Sequence, residues 1–220
     1  MRKKIICDSS SLISMSMNCM LPLVVELSEA ADFVISQSVY DEIITNPKRL
    51  GHHIMGPLNF SALVKSGVLT VERADEGKAK EILNLSNTTY YAHHQPLTII
   101  QKGEAEALAL AHGGATLLID ERTLRFLIES PAQLLGLLQF RLRKGITMNS
   151  ERARIFKCHY KGIPIIRSSE IVAVAYEKGI LSKYFEGSGR EVLSACLYSL
   201  KSKGCSLSNS DIEDYLRTLL

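Results

Sequence analysis

Short uninterrupted apolar runs punctuate the chain at Lys3 to Cys7, Asp32 to Ser36, Val68 to Val71, Ala115 to Ile119 and Ile163 to Ile166. A strand covered on both faces reads this way, because it carries no polar side chain until it leaves the core. Helical segments lie between the runs. The first spans about Leu12 to Met20 and a second ends near Ala31. Ser38 is placed as the N-cap of Val39 to Ile44, which puts Asp41 and Glu42 in the first turn, and Asn46-Pro47 closes that helix. Further helices are expected at Pro57 to Lys65, Asp75 to Leu85, Gly103 to His112, Arg122 to Ile128 and Glu151 to Tyr160, while Leu134 to Leu142 reads as helix or loop. Five strands alternating with helices predict an α/β fold, a three-layer α/β/α sandwich on a parallel, Rossmann-like sheet with right-handed crossovers.

Beyond Ser168 the pattern is only helical, at Glu170 to Lys178, Gly189 to Lys203 and Ser210 to Leu219, the last opened by a capping box at Ser210 and Glu213. Residues 1–168 are therefore expected to form the α/β domain and 169–220 a helical C-terminal extension packed on it. Two polar stretches read as loops: Leu50 to Gly56 with His52-His53, and Asn87 to Pro96 with Tyr90-Tyr91 and His93-His94, the second a candidate lid or substrate rim.

Composition narrows the class. At 220 residues the chain is long enough for a substantial core, and its 46% hydrophobic and 22% charged residues exclude disorder and fibrous architectures. A net charge of +3 permits a polyanionic partner without requiring one. The five cysteines are odd in number and lack C-x-x-C spacing, which argues against a disulfide framework or zinc knuckle and fits a cytoplasmic protein. Asp8 cuts short the apolar run after the basic start, and Ser14, Ser16, Asn18 and Pro22 interrupt Leu12 to Val25 short of the ~20 residues of a membrane span. No membrane role is expected.

Four acids stand where apolar segments stop: Asp8 after Ile5-Ile6-Cys7, Glu42 after Val39-Tyr40, Glu104 before Ala105 to Ala111, and Asp120 after Leu117-Leu118-Ile119. Open parallel sheets bind ligands beyond the carboxyl ends of their strands, so Asp8 and Asp120 would meet at one rim if their strands are neighbours. Their mutual repulsion is what a divalent cation relieves. Mg²⁺ or Mn²⁺ prefers oxygen ligands and commonly carries substrate phosphate, so the constellation points to phosphoryl chemistry.

The blocks Asp8-Ser9-Ser10-Ser11-Leu12-Ile13, Tyr40-Asp41-Glu42-Ile43, Gly103-Glu104-Ala105-Glu106-Ala107 and Leu117-Leu118-Ile119-Asp120-Glu121 resemble the PIN-domain nucleases in order and spacing, over roughly Met1 to Ser168. The tail resembles the helical extension of some archaeal and bacterial members. The resemblance implies a metal-dependent endoribonuclease that hydrolyses single-stranded or exposed RNA, with Asp8, Glu42, Glu104 and Asp120 holding Mg²⁺ or Mn²⁺ and Ser10 supporting Asp8. Two departures are visible. Members usually carry an aspartate one position beyond Asp120, where Glu121 stands, so either is the candidate ligand. Glu104 replaces a common aspartate, and Glu106 lies on a different helix face.

The basic residues Arg141, Arg143, Lys144, Arg152, Arg154, Lys157 and Lys161 trace a candidate RNA track, with Arg122 and Arg125 close enough in sequence to Asp120 to contact a substrate phosphate. The rival function is a catalytically weak PIN-fold module for RNA binding or protein docking. A third is the toxin half of a toxin-antitoxin pair, which would add a small antitoxin-like partner. The apolar stretch Leu134 to Leu142 suits a homodimer contact as well as a core. No P-loop or G-x-G-x-x-G follows the first strand, so a nucleotide cofactor is not expected.

Overall fold

A computed structural model describes residues 2–46 and 55–219. Five parallel strands form the main sheet in the order β3-β2-β1-β6-β8. They are β1 (Lys3–Cys7), β2 (Ala31–Ser36), β3 (Leu69–Glu72), β6 (Thr116–Leu118) and β8 (Ile165–Ile166). Ile5 pairs with Phe33 on one side and Thr116 on the other, which seats β1 at the centre.

Side-chain alternation along the strands makes the layers. Cys7, Phe33, Ile35 and Leu118 pack into one core, and Ile6, Val34, Leu117 and Ile119 into the other. On the first face lie α1 (Ser9–Met17), α2 (Leu21–Leu27), α4 (Gly56–Lys65), α10 (Ser168–Glu177), α11 (Gly189–Ser202) and α12 (Asn209–Thr218). The second face is covered by α5 (Glu76–Asn87), α6 (Lys102–Ala111), α7 (Arg122–Glu129), α8 (Pro131–Leu142) and α9 (Ser150–Tyr160). Between β2 and α4 comes α3 (Gln37–Tyr40), continued by a π-turn at Asp41–Thr45.

The five predicted strands are those of the sheet, so the α/β/α expectation holds. Three local readings change. The N-cap of α3 is Ser36, whose Oγ accepts from Val39 N at 3.2 Å, rather than Ser38. The capping box of α12 is Ser208 with Asp211, not Ser210 with Glu213. The stretch Asn87 to Pro96 is not an irregular loop: β4 (Tyr90–Ala92) and β5 (Gln95–Pro96) form a hairpin, and with β7 (Ile146–Met148) they build a small antiparallel sheet in the order β5-β4-β7. The pair His52-His53 lies outside the described residues.

Residues from both sides of position 168 share a core: Leu12, Met15, Leu23 and Phe33 pack in one cluster with Ile171, Val172, Leu193, Leu197 and Leu200. Among the described residues, no single helix is long and apolar enough to cross a membrane.

Candidate active site

A cleft of about 620 Å³ opens beside the carboxyl ends of β1 and β2. Asp8, Asp41, Glu42, Glu104 and Glu121 all line it. Lys102 is the single cation among the described lining residues.

Asp8 follows β1 directly and caps α1. Its Oδ2 accepts from Ser10 N at 3.1 Å and from Ser10 Oγ at 2.6 Å, so Ser10 both satisfies and aims the carboxylate. With only 4% of its surface exposed, Asp8 is desolvated, and this pushes its pKa up. The Ser10 hydrogen bonds pull it back in part, while the neighbouring Glu42 charge raises it further. The last effect places Asp8 and Glu42 within each other's field.

Glu42 sits on the π-turn. Such turns shift a helix by one residue and are frequent at functional sites. Asp41 beside it accepts from Gln37 Nε2 at 3.1 Å. Glu104 is the third residue of α6, where its Oε2 accepts from Gln101 N at 2.8 Å in a capping box. Helix α6 comes close to α3 at Gly103: a Cβ there would stand 3.6 Å from Val39 Cγ2 and 3.8 Å from Glu42 Oε2. Glu106, one turn face away, is buried and takes a different part. It accepts from Ser38 N at 2.9 Å and Ser38 Oγ at 2.8 Å and pairs with Lys102 at 3.4 Å, tying α6 to the segment that carries Glu42.

Asp120 is not in the cleft. Its carboxylate is 1% exposed and accepts from Ser168 N at 2.7 Å, Ser168 Oγ at 2.9 Å and Cys205 Sγ at 3.3 Å. Burial raises its pKa, Ser168 and Cys205 offset part of that, and the charge of Glu170 adds to it. Its carbonyl also accepts from Ser206 N at 3.1 Å. The next residue, Glu121, is the one that reaches the cleft, where Thr123 Oγ1 donates to its Oε1 at 2.9 Å. Arg122 and Arg125, expected near substrate phosphate, turn to the C-terminal extension instead: Arg122 Nε and Arg125 Nη2 donate to Ser206 Oγ at 3.2 and 2.9 Å. Neither lines the cleft. Arg141, Arg143 and Lys144 are exposed at and beyond the end of α8, and Arg154 and Lys157 are exposed on α9, with Arg152 half-buried.

The sequence reading overlooked Asp41, Lys102 and Thr123 as cleft residues. Lys102 immediately precedes Gly103-Glu104, which was the available signal. Among the described residues no three His, Cys, Asp or Glu side chains gather closely enough to encircle an ion. The donors are nonetheless the kind a hard divalent cation takes, carboxylate and hydroxyl oxygens, and the raised Asp8 beside Glu42 is a like-charge pair that such a cation would relieve.

Among known families, the model described as the PIN domain matches residues 4–137. Neither the curated proteins nor the solved structures include a match to the chain.

Proposed function

The chain belongs to the PIN-domain family, and from that premise we propose that the acidic cleft is the active site of a metal-dependent endoribonuclease acting on single-stranded or exposed RNA. The observation that carries this reading is the convergence of Asp8, Glu42, Glu104 and Glu121 on one cleft from four separate segments of the chain. PIN domains are generally divalent-metal-dependent nucleases. Asp8, Glu42, Glu104 and Glu121 would hold Mg²⁺ or Mn²⁺, with Glu121 taking the place first assigned to Asp120. When bound, such an ion lowers the pKa of water and neutralises charge on a phosphodiester.

The chain's own groups supply the rest. Ser10 fixes the orientation of Asp8 through two hydrogen bonds. Glu106 fastens α6, which carries Glu104, to the α3 segment that leads to Glu42, through Ser38. Lys102 presents an ammonium to an incoming phosphate from the cleft wall. The test is Mn²⁺- and Mg²⁺-dependent cleavage of labelled single-stranded RNA by the wild type beside Asp8→Asn and Glu121→Gln, with metal binding followed by calorimetry. Cleavage unchanged in Asp8→Asn would remove the assignment.

One observation favours a second reading, a PIN-fold module that binds RNA or docks protein with little turnover: the cleft acids are not drawn into a group of three around one point. Salt-sensitive RNA binding without cleavage, in the presence of Mn²⁺, would select it.

A further inference from the structure

Non-glycine residues with positive φ are uncommon, and the described chain has four: Cys19, His93, His94 and Arg143. Three of them lie in the segments that flank one end of the small sheet. His93 and His94, at φ 49° and 64°, form the two-residue turn between β4 and β5, where a hairpin needs positive φ at both positions and ordinarily uses Asn-Gly. Arg143, at φ 50°, ends α8 in the left-handed conformation that glycine normally provides. Ala92 is paired with Ile146, so the His93-His94 tip projects past the same end of the sheet from which Lys144 and Gly145 enter β7. Gln139 Nε2 donates to Ile146 O at 3.0 Å and fastens α8 to that edge.

At this end the chain has thus kept cationic or hydrogen-bonding side chains at backbone positions where Asn or Gly would be easier. All are exposed, as are Arg141 and Lys144, and among the described residues none of these is in an ion pair. Phe140, in the last turn of α8 beside Arg141, has 83% of its surface exposed, more than any other large hydrophobic residue described. An exposed aromatic among unpaired cations is suited to an unstacked base and its flanking phosphates. Two chain segments lead from the patch to the acidic cleft. Leu138 on α8 lines the cleft, and about 6 Å of helical rise leads from it to Leu142, the residue before Arg143. On the other side, β5 runs on into Thr98 and Ile99, which line the cleft as well.

We propose that Phe140, Arg141, Arg143, Lys144 and the His93-His94 tip form a binding surface for single-stranded nucleic acid, with a base stacked on Phe140 and the backbone held by the basic groups as the strand enters the cleft. The inference rests on the nuclease reading only for the strand's path into the cleft. Binding at the patch requires no metal.

The experiment measures binding of a fluorescein-labelled oligouridylate by anisotropy in EDTA, so cleavage does not enter. Two sets of variants are informative. His93→Asn, His94→Gly and Arg143→Gly give each backbone position the residue it prefers, so the combined variant should melt no lower than the wild type while its affinity drops about tenfold and its salt dependence becomes shallower. Phe140→Ala should lose about tenfold for the single strand and much less for a duplex of the same length. Lys203→Gly, which removes one charge from the far end of α11, should leave binding unchanged. Equal losses from Lys203→Gly and Arg143→Gly would overturn the proposal, since net charge alone would then account for binding. So would a Phe140→Ala variant that changes oligomeric state while keeping its RNA affinity, which would make the patch a contact between copies of the chain. If Mn²⁺-dependent cleavage is absent but these affinity losses are found, the patch stands and the catalytic reading falls.

Discussion

Asp8 and Asp120 begin alike. Each follows a strand of the main sheet, β1 and β6 are hydrogen-bonded neighbours, both carboxylates are nearly inaccessible, and burial raises the pKa of both. Their surroundings separate them. Asp8 has Ser10 on one side and the cleft with Glu42 on the other. Asp120 is closed over by Ser168 at the start of α10 and by Cys205 from beyond α11, and Glu121, not Asp120, lines the cleft. An acid at a strand end thus faces a cleft or is sealed as an anchor according to what packs above it, and here the C-terminal extension decides.

The widest separation should come from removing each acid in turn. Asp8→Asn is expected to lower metal-dependent cleavage at least about 100-fold. Its stability should move the other way. Because the folded-state pKa of Asp8 is raised, its stabilising contribution is complete only below the ordinary 3.8 and is lost as pH rises through the raised value. The neutral amide has no such loss, so urea denaturation should show Asp8→Asn gaining on the wild type as pH climbs from 3.8 toward neutrality. A variant that loses stability at neutral pH would mean Asp8 is an anchor after all.

Asp120→Ala should act through stability. It strips a buried amide, a buried hydroxyl and a thiol of their acceptor, at a cost of about 3 kcal/mol, and should lower cleavage only to the extent that the protein unfolds. Equal midpoints for Asp120→Ala and wild type in urea, with cleavage gone, would return Asp120 to the active site.

Somewhat less is expected from the neighbouring network. Arg167 donates to Glu170 at 2.8 Å and to the Ser206 carbonyl at 3.0 Å, and Tyr215 also hydrogen-bonds to Glu170, joining α10 to α12 and to the strap over Asp120. Burial alone would raise the Glu170 carboxyl, but the hydrogen bonds from Arg167 and Tyr215 outweigh it and hold the pKa below its usual 4.5. The sign is therefore opposite to that of Asp8: this contribution is present above 4.5 and is lost as pH falls through the lowered value. With the Glu170 side chain 32% exposed, Arg167→Ala should cost about 2 kcal/mol, less than a fully buried pair, and the cost should shrink in acid. A pH-independent difference between the two proteins in calorimetry would show that Arg167 acts by packing alone.

The contrast between the two aspartates also marks where a linear reading stops. The main sheet was legible because its central strands carry continuous apolar runs, and the shared cleft of Asp8, Glu42 and Glu104 because each begins or follows such a run. Which of Asp120 and Glu121 reaches the cleft was not, since the residues that close over Asp120 are Ser168 and Cys205, 48 and 85 positions downstream. Nor was the small sheet: β4, β5 and β7 are two or three residues long, too short for a period, and the His93-His94 turn lacks the Asn-Gly signal that announces a hairpin. Arg122 and Arg125 were placed near the substrate by proximity in sequence, but a helix turns successive side chains apart, and theirs turn toward Ser206.

The smallest effect belongs to Gly103, on the cleft side of the comparison. It is the second residue of α6, and a Cβ there would make ordinary contacts with Val39 and with Glu42 Oε2 without a clash. Alanine is the better helix former, by up to about 1 kcal/mol in a helix interior and less in a first turn, so Gly103→Ala should stabilise the fold by a few tenths of a kcal/mol. The added methyl group would nevertheless fill space beside the Glu42 carboxylate, and cleavage should drop by a factor of about 3, in line with about 0.7 kcal/mol of transition-state stabilisation. The two readouts bear on different causes. Lowered activity with raised stability means that the space beside Glu42 is used in turnover, whereas a variant both more stable and fully active means that Glu42 needs no room on that side and works from the face turned toward Asp8.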